Sequence, residues 1–414
     1  MLVVTANWGL GDGSLVAAPD PSLPGRLSAE VHRAAWRAGF RHDGRYRPLE
    51  RLVLVLAGDT FDTLVSDRWL DGARPWERGR AAAARREEVL AAAWRAGRRH
   101  LAWVFRLARR GLVVPAADRH GRPVPAASVR VPTHVVILTG DRDAALAACG
   151  PALAERGGIG VGSGWEADGV SVTHGAAFDP LGADDRDGAP TLLQSLAVDL
   201  MARFGAALRT RSGTAASGRR LMRLLADAAP LDAPQRLAAV LAGWPQGESQ
   251  TMLSAWHGAV ERWGREARRL GCAEEPGVVD AIAGWLHAVA VAPVVSPAVR
   301  RVIEALVTPL PARSAAGMFV VGHHGPSTAI AGGRVVGLGP PPLAPRGPAG
   351  CGSVRWRHGD CVETGAARLP GRRSAVAVLD ADEGSAGVQE WWPLADDGQA
   401  ADAPAVRGRT SEAA

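Results

Sequence analysis

The stretch LVLVLAGDTFD, from Leu52 to Asp62, decides the fold. A run of six apolar residues is typical of a short strand that is buried on both faces of a sheet. The Gly-Asp pair that follows places a carboxylate directly at the carboxyl end of that strand. In layered α/β domains, polar residues at such strand ends gather along one edge of the sheet. The stretch therefore predicts a candidate site at that edge.

Four other apolar runs end in a polar or glycine-rich cluster in the same way. They begin at Leu2 (LVVTANWGLGDG), His134 (HVVILTGDRD), Val170 (VSVTHG) and Met318 (MFVVGHHG). Segments with helical periodicity, 27–39 and 85–111, separate the first three of the five runs along the chain. This alternation predicts an α/β fold in which the five clusters share one polar edge.

The pattern changes between 189 and 316, where several segments have helical periodicity and none reads as a strand. Proline or glycine separates these segments, as expected at helix junctions. The stretch predicts an all-helical insertion between the fourth and fifth strand motifs. Its tryptophans are expected to anchor a core. They are Trp244, Trp256, Trp263 and Trp285.

The sequence thus predicts a core domain that is interrupted by the insertion. Residues 1–188 form its first part, 189–316 the insertion and 317–394 its last part. The strand-like segments SAVAVLD and GVQEWWPL, near the end of the last part, are expected to complete a second sheet. Residues 395–414 are polar and rich in Ala and Asp, and we expect them to be a disordered tail.

Composition argues against two classes of partner. The net charge is +6, but every one of the 48 basic residues is Arg, while Asn and Tyr occur once each. A GC-rich genome would produce this bias, and no basic stripe with interleaved aromatic residues is evident, so nucleic-acid binding is not expected. No apolar stretch has the roughly 20 residues of a membrane span. The first residues read as a strand and not as a signal peptide, so a cytoplasmic location is expected.

Taken in order, the five clusters resemble the motifs of the calcineurin-like metallophosphoesterases. The helical insertion is similar to the cap of the UDP-2,3-diacylglucosamine hydrolase branch of that family. The resemblance covers residues 1–182 and 317–393 and implies a four-layer αββα sandwich with a two-metal site. The second family motif, GDxxD, is intact from Gly58 to Asp62. The fourth and fifth motifs survive around His174 and His323.

The resemblance implies two unequal metal sites. One ion would be held by two carboxylates and two imidazoles, a complete set for a divalent ion. This set is Asp59, Asp141, His174 and His323. The other ion would depend on Asn7, Gly9, Asp59 and Gly325, which include one strong ligand. We therefore expect one strong metal site for Mn, Fe, Zn or Mg and a second site that is weak or lost.

Three departures from the family pattern leave alternatives open. Asn7 replaces an Asp and Asp141 replaces an Asn, so the formal charge is conserved by compensation or by coincidence. Asp12 or His324 could supply a missing ligand. Arg142 stands where the family has a catalytic His; it could clamp a phosphoryl oxygen, or it could be a solvated residue in a decayed loop.

The resemblance implies a divalent-metal-dependent phosphoesterase that hydrolyses a phosphate ester or pyrophosphate bond of a small molecule, with reduced activity. Asp59 and Arg142 are the catalytic candidates, and Asp62 is expected to fix its loop. A catalytically inactive homologue that acts as a binding or scaffold module is the alternative. A helical interaction protein that uses the surface of the insertion is a third possibility.

Overall fold

The computed structural model describes residues 1–6, 8–15, 21–41, 43–167, 170–175, 189–210, 218, 221–222, 225, 233–273 and 277–288, and the backbone of six later strands. The chain forms a mixed α/β fold with a parallel sheet. The helices are α1 (Leu23–Ala38), α2 (Arg80–Arg110), α3 (Gly150–Gly157), α4 (Leu192–Ser195), α5 (Arg203–Thr210), α6 (Ala233–Leu241), α7 (Gln246–Leu270) and α8 (Val278–His287). A π-helical segment, Leu196–Ala202, joins α4 to α5, and 3-10 turns lie at Asp67–Trp69 and Ala144–Cys149.

Sixteen strands lie in the described part of the chain. The first ten are β1 (Leu2–Thr5), β2 (Leu10–Gly11), β3 (Leu52–Ala57), β4 (Phe61–Asp62), β5 (Leu112–Ala117), β6 (Pro123–Val131), β7 (Thr133–Leu138), β8 (Ile159–Gly162), β9 (Gly164–Ala167) and β10 (Val170–Thr173). The six described by their backbone are β11 (Met318–His324), β12 (Arg334–Gly339), β13 (Ser353–Arg357), β14 (Asp360–Thr364), β15 (Ala375–Asp380) and β16 (Gly387–Pro393). All five predicted strand motifs form strands.

The larger sheet has six strands in the order β16-β15-β1-β3-β7-β8. Strands β1, β3, β7 and β8 are parallel, so their carboxyl ends lie at the same edge. Leu52, Leu54 and Leu56 of β3 are fully buried, as expected for a central strand with both faces covered. This sheet brings the loops after β3 and β7 together.

A second sheet has the order β12-β11-β10-β9, with β10, β11 and β12 parallel. Strands β10 and β11 contact β3, and β9 contacts β7, so the two sheets pack against each other. The expectation that the last two strand-like segments complete a second sheet is wrong. Strand β15 pairs antiparallel with β1 and β16 pairs with β15, so both extend the larger sheet. Strand β1 has β3 on one side only, and this leaves its other edge open for β15.

Two helices in the first half of the chain lie close to the predicted positions. Helix α1 ends at Ala38, and α2 ends at Arg110 before Gly111, which has a φ of 70° that favours glycine. Helix α2 packs on β7 and contributes Leu90, Leu101 and Leu107 to the core of the larger sheet. Helices α1 and α2 therefore share a hydrophobic core with the larger sheet.

The described residues between 189 and 288 are largely helical and build a second hydrophobic core. Trp256 and Trp263 are fully buried in it, Trp285 is buried, and Trp244 packs at its border, which confirms their predicted role. Residues from the first part of the chain enter the same core, so the helical region is packed on the loops near the predicted site. They are Leu15, Leu64, Val65, Trp69 and Val89. Among the helices that the structure describes, none is long and apolar enough to cross a membrane.

The sequence patterns did not predict the hairpin of β5 and β6. Its two strands pair antiparallel, with a register shift between Pro115 and Ala116, and both contain residues that weaken a strand pattern. The turn between them, Asp118 to Gly121, is closed by the Asp118 carboxylate, which accepts backbone hydrogen bonds from His120 and Arg122. This turn would have indicated a hairpin if the segments on either side of it had been predicted as strands.

Candidate metal centre

The candidate site lies where the loops after three strands meet. Asp59 follows β3 after one glycine, Asp141 follows β7 and His174 follows β10 directly. Strands β3 and β7 belong to the larger sheet and β10 to the smaller one, so the site joins the two sheets. Each of the three residues offers a ligand atom, and these atoms lie within 4.8 Å of one another. Three of the five predicted metal-site residues are thus brought together.

The structure does not describe the side chains of the two remaining predicted ligands. Asn7 lies outside the described residues. For His323 the structure describes the backbone alone. Thr173, the last residue of β10, is opposite Val321 of β11. His323 lies two positions beyond this last pair, at the end of β11 next to the end of β10 that His174 follows. His324 is paired in register with Gly339 of β12, beyond an irregularity in the ladder.

His174 is held in an orientation that suits a metal ligand. Its side chain is 2% exposed, and Nδ1 lies 3.1 Å from the carbonyl oxygen of Ala57. A carbonyl oxygen can only accept, so Nδ1 carries a proton and Nε2 is left to face the carboxylates. Nε2 lies 2.9 Å from Asp141 Oδ1 and 3.5 Å from Asp59 Oδ1. With Nδ1 held by the carbonyl of Ala57, Nε2 is the nitrogen that a metal could bind after losing its proton.

The candidate site contains more carboxylates than positively charged side chains. Burial lowers the pKa of His174, but the charge of Asp59 and the hydrogen bond to Asp141 outweigh this and raise it to about 10. Burial also raises the pKa of Asp59, and the nearby carboxylate of Asp141 adds to the effect. A proton on Nε2 of His174 therefore sits between two carboxylates. The same three side chains could hold a divalent ion at this point.

Arg142 is neither solvated nor directed at an open site. Its side chain is 8% exposed, and NH1 donates to Asp62 Oδ2 at 2.7 Å. Its Nε lies 3.7 Å from Asp59 Oδ2, while its backbone N–H donates to Asp59 Oδ1 at 3.1 Å. Burial lowers the pKa of Arg142, but Asp62 and Asp59 raise it above its usual value. The guanidinium is thus a fixed internal counterion for two carboxylates. The interpretation of Arg142 as a solvated residue is wrong.

Two further aspartates fasten the loops that carry the ligands. Asp62 Oδ1 accepts from the backbone N–H groups of Leu64 and Val65, as expected for a residue that fixes its loop. Asp143 was not predicted. It is fully buried, and it accepts from Gly140 N at 2.6 Å and from Phe61 N at 3.1 Å. Burial raises its pKa to about 6 although these hydrogen bonds oppose the shift. The second Asp of the TGDRD motif was the available signal.

Asp12 has a different role from the ligand that its position suggested. Its Oδ1 accepts from the backbone N–H and the hydroxyl of Ser14, and its Oδ2 from the hydroxyl of Ser66 and from Nε of Arg68. Ser66 belongs to the loop that follows Asp62. In the described part of the chain, Asp12 is not in the group of potential metal ligands. Its carboxylate joins the loops on which the helical region packs.

Backbone conformation allows the two sheets to approach at the site. Gly58 has a φ of 88°. Asp59 has a φ of 49°, and among the described residues no other residue apart from glycine has a positive φ. A Cβ on Gly58 would lie 2.2 Å from Nδ1 of His174, and one on Gly140 would lie 2.2 Å from Asp59 Oδ1. Only glycine fits at either position, because any side chain would displace a ligand.

This leads to a prediction for Gly58→Ala. The variant is expected to lose metal affinity, because the methyl group would push His174 away from the carboxylates, and to be less stable than the wild type. Gly72→Ala is the matched control, since Gly72 has a φ of 96° but nothing within 4 Å of its Cβ position. Its cost is the backbone strain of about 1–2 kcal/mol. Thermal unfolding and metal titration would measure both. Equal metal affinity of the two variants would contradict the close approach of His174 to Gly58.

Comparison with known proteins does not assign the chain to a family. No protein-family model, no curated protein and no solved structure matches the chain at a significant level. The site therefore has to be interpreted from its own residues.

Proposed function

We propose that the chain is a divalent-metal-dependent phosphoesterase with one strong metal site, built on an αββα sandwich of the metallophosphoesterase kind. One observation carries the proposal: Asp59, Asp141 and His174 come from strand ends in two packed sheets and offer ligand atoms within 4.8 Å of one another. Two carboxylates and an imidazole suit Mn, Fe or Zn, and a fourth ligand from β11, His323, would complete the set.

The contacts of Asp59 support a single ion. Its Oδ1 faces Nε2 of His174, while its Oδ2 faces the guanidinium of Arg142. A carboxylate that binds one ion through each of its oxygens needs both oxygens free for them. Here the permanent charge of Arg142 stands beside the second oxygen, so it takes the place of a second cation. This agrees with the weak second ligand set that the sequence predicts.

An ion held by Asp59, Asp141 and His174 would polarise a phosphoryl oxygen and lower the pKa of a bound water. The protein's own contribution is to position these ligands. Ala57 fixes the ring of His174, and Arg142 fixes both oxygens of Asp59. Asp143 joins the loop of Asp141 to the loop of Asp59. The ligands are therefore held before a substrate arrives, as electrostatic catalysis requires.

The burial of Arg142 favours the second candidate, an inactive binding or scaffold module. A guanidinium that is paired with Asp62 in the protein interior does not reach out to a phosphoryl group. If no other cation replaces it at the mouth of the site, the chain would bind an ion without turning over an ester. The two candidates thus share the metal site and differ in turnover.

The test is metal removal and replacement. The chain is expected to bind one equivalent of Mn or Zn by titration and elemental analysis. Turnover of a small aryl phosphate ester or of pyrophosphate should stop after chelation and return when the ion is restored. One bound ion with no turnover of any ester would favour the scaffold module. Absence of both metal binding and turnover would contradict the phosphoesterase and favour the scaffold module.

A further inference from the structure

Two large aromatic side chains at the end of α1 are exposed. Trp36 is 37% and Phe40 is 42% exposed, although most large apolar side chains of the described chain are buried. The two residues are four positions apart and lie on the same side of the helix end. The other exposed large apolar residues in the described part are Val113 and Val129, both in the hairpin of β5 and β6. Exposed aromatic rings side by side indicate an interaction surface.

The rings are held in place by Tyr46, which is fully buried. Trp36 and Phe40 pack edge to face with centroids 5.7 Å apart, and Tyr46 lies 5.4 Å from Trp36 and 5.2 Å from Phe40. The hydroxyl of Tyr46 donates to the carbonyl of Pro115 at 3.2 Å. A Cβ on Gly39 would overlap the Tyr46 ring, so glycine is needed there. The three aromatic rings are therefore fixed in place and form a platform.

Arginines surround this platform. The segment from Arg33 to Arg47 contains five arginines, the three aromatic residues of the platform and a single acidic residue, Asp43. The expectation that the chain has no basic stretch with interleaved aromatic residues is therefore wrong. The hairpin turn is attached beside it, because Tyr46 N donates to the carbonyl of Gly121 at 2.7 Å. That turn adds Arg119 and Arg122 against one aspartate, Asp118. The carboxylates of Asp43 and Asp118 both accept backbone N–H groups of their own turns. Arg33 also pairs with Glu30, just before this segment. The other four arginines of the segment and the two of the turn outnumber the two aspartates, so the surface carries a net positive charge.

We infer that this aromatic and basic surface, here called the Trp36 surface, binds the headgroup region of an anionic lipid membrane. Tryptophan and phenylalanine favour the boundary between headgroups and acyl chains, and arginines are attracted to anionic lipid. Single-stranded nucleic acid would need free ring faces for base stacking. Trp36, Phe40 and Tyr46 already pack against each other, so lipid is the better match to the geometry. The inference is independent of the metal site.

Vesicle flotation of the full chain tests the inference. The chain is expected to float with vesicles that contain phosphatidylglycerol, and much less with vesicles of phosphatidylcholine alone. The double substitution Trp36→Ser and Phe40→Ser should weaken binding by at least about ten-fold, because it removes the apolar anchors. Arg37→Gln with Arg47→Gln should weaken it in proportion to the charge removed, and added salt should do the same.

Val113→Ser with Val129→Ser is the matched control, because it removes two exposed apolar side chains that do not belong to the group of Trp36, Phe40 and Tyr46. This variant should float as the wild type does. Thermal unfolding of every variant would confirm that the fold is kept. The inference is overturned if the Trp36 and Phe40 variant floats like the control, or if the surface retains a single-stranded oligonucleotide but no anionic vesicle.

Discussion

Replacement of Asp59 by asparagine is expected to abolish binding of the divalent ion and to lower turnover by at least about 100-fold. Loss of a group that merely supports a metal ligand costs about 10–100-fold in affinity or activity, and Asp59 is itself a central member of the set. Its Oδ1 lies 3.5 Å from Nε2 of His174, and its carboxylate is buried. An amide is a much weaker ligand than a carboxylate. Metal titration and turnover of the aryl phosphate would measure the loss.

The same substitution should leave the metal-free chain folded. Burial and the nearby Asp141 raise the pKa of Asp59, so its negative charge costs stability when no ion is present. Asparagine keeps an oxygen that can accept the backbone N–H of Arg142. The unfolding temperature without metal is therefore expected to change little, while the increase in this temperature on adding metal should disappear.

Asp12→Asn is the matched control for Asp59→Asn. The carboxylate of Asp12 is buried like that of Asp59. Its partners are Ser14, Ser66 and Arg68 and not the other candidate ligands. We expect the variant to bind one equivalent of metal as the wild type does, with some loss of stability. If Asp59→Asn retained the ion and Asp12→Asn lost it, the ligand set would have to be reassigned to the loops after β2.

The positions of the three candidate ligands could be predicted from the sequence because each one lies within three residues of a strand end. Buried apolar runs identify β3, β7 and β10, and the parallel order of β3 and β7 brings their carboxyl ends to one edge. This pattern places Asp59 and Asp141 at the edge, but their assignment as ligands came from the resemblance. His174 required the resemblance as well, because β10 belongs to the other sheet and nothing in its sequence shows how the two sheets pack.

The contacts that position the ligands could not be predicted in this way. Arg142 and Asp62 are 80 residues apart, and Asp143 reaches Phe61 across 82 residues. No periodicity encodes such pairs, since they depend on the final separation of two loops. The same is true of β15, whose antiparallel pairing with β1 depends on which sheet edge is open. Sequence patterns specify strands and their ends well, but they do not specify which partners meet there.

Arg142→Gln is expected to lower the free energy of unfolding by about 3–5 kcal/mol, because it leaves the carboxylate of Asp62 buried without its counterion. The side chains of Asp62 and Arg142 are 1% and 8% exposed, so water cannot replace the lost charge. Arg68→Gln is the control. Arg68 also pairs with a buried aspartate, but it is 35% exposed, and Asp12 keeps hydrogen bonds from Ser14 and Ser66, so its loss should cost less than that of Arg142. Denaturant unfolding of the metal-free variants would measure both.

A double substitution separates the structural role of Arg142 from a catalytic one. Asp62→Asn together with Arg142→Gln removes both charges of the pair, so it should recover part of the stability that Arg142→Gln loses. Folded molecules of the double variant should still bind metal, since Asp59, Asp141 and His174 remain. If Arg142→Gln instead unfolds like the wild type but loses turnover with the metal still bound, the guanidinium acts on the substrate. In that case the guanidinium of Arg142 would have to leave Asp62 during the reaction. Turnover at the single-ion site would then depend on this movement.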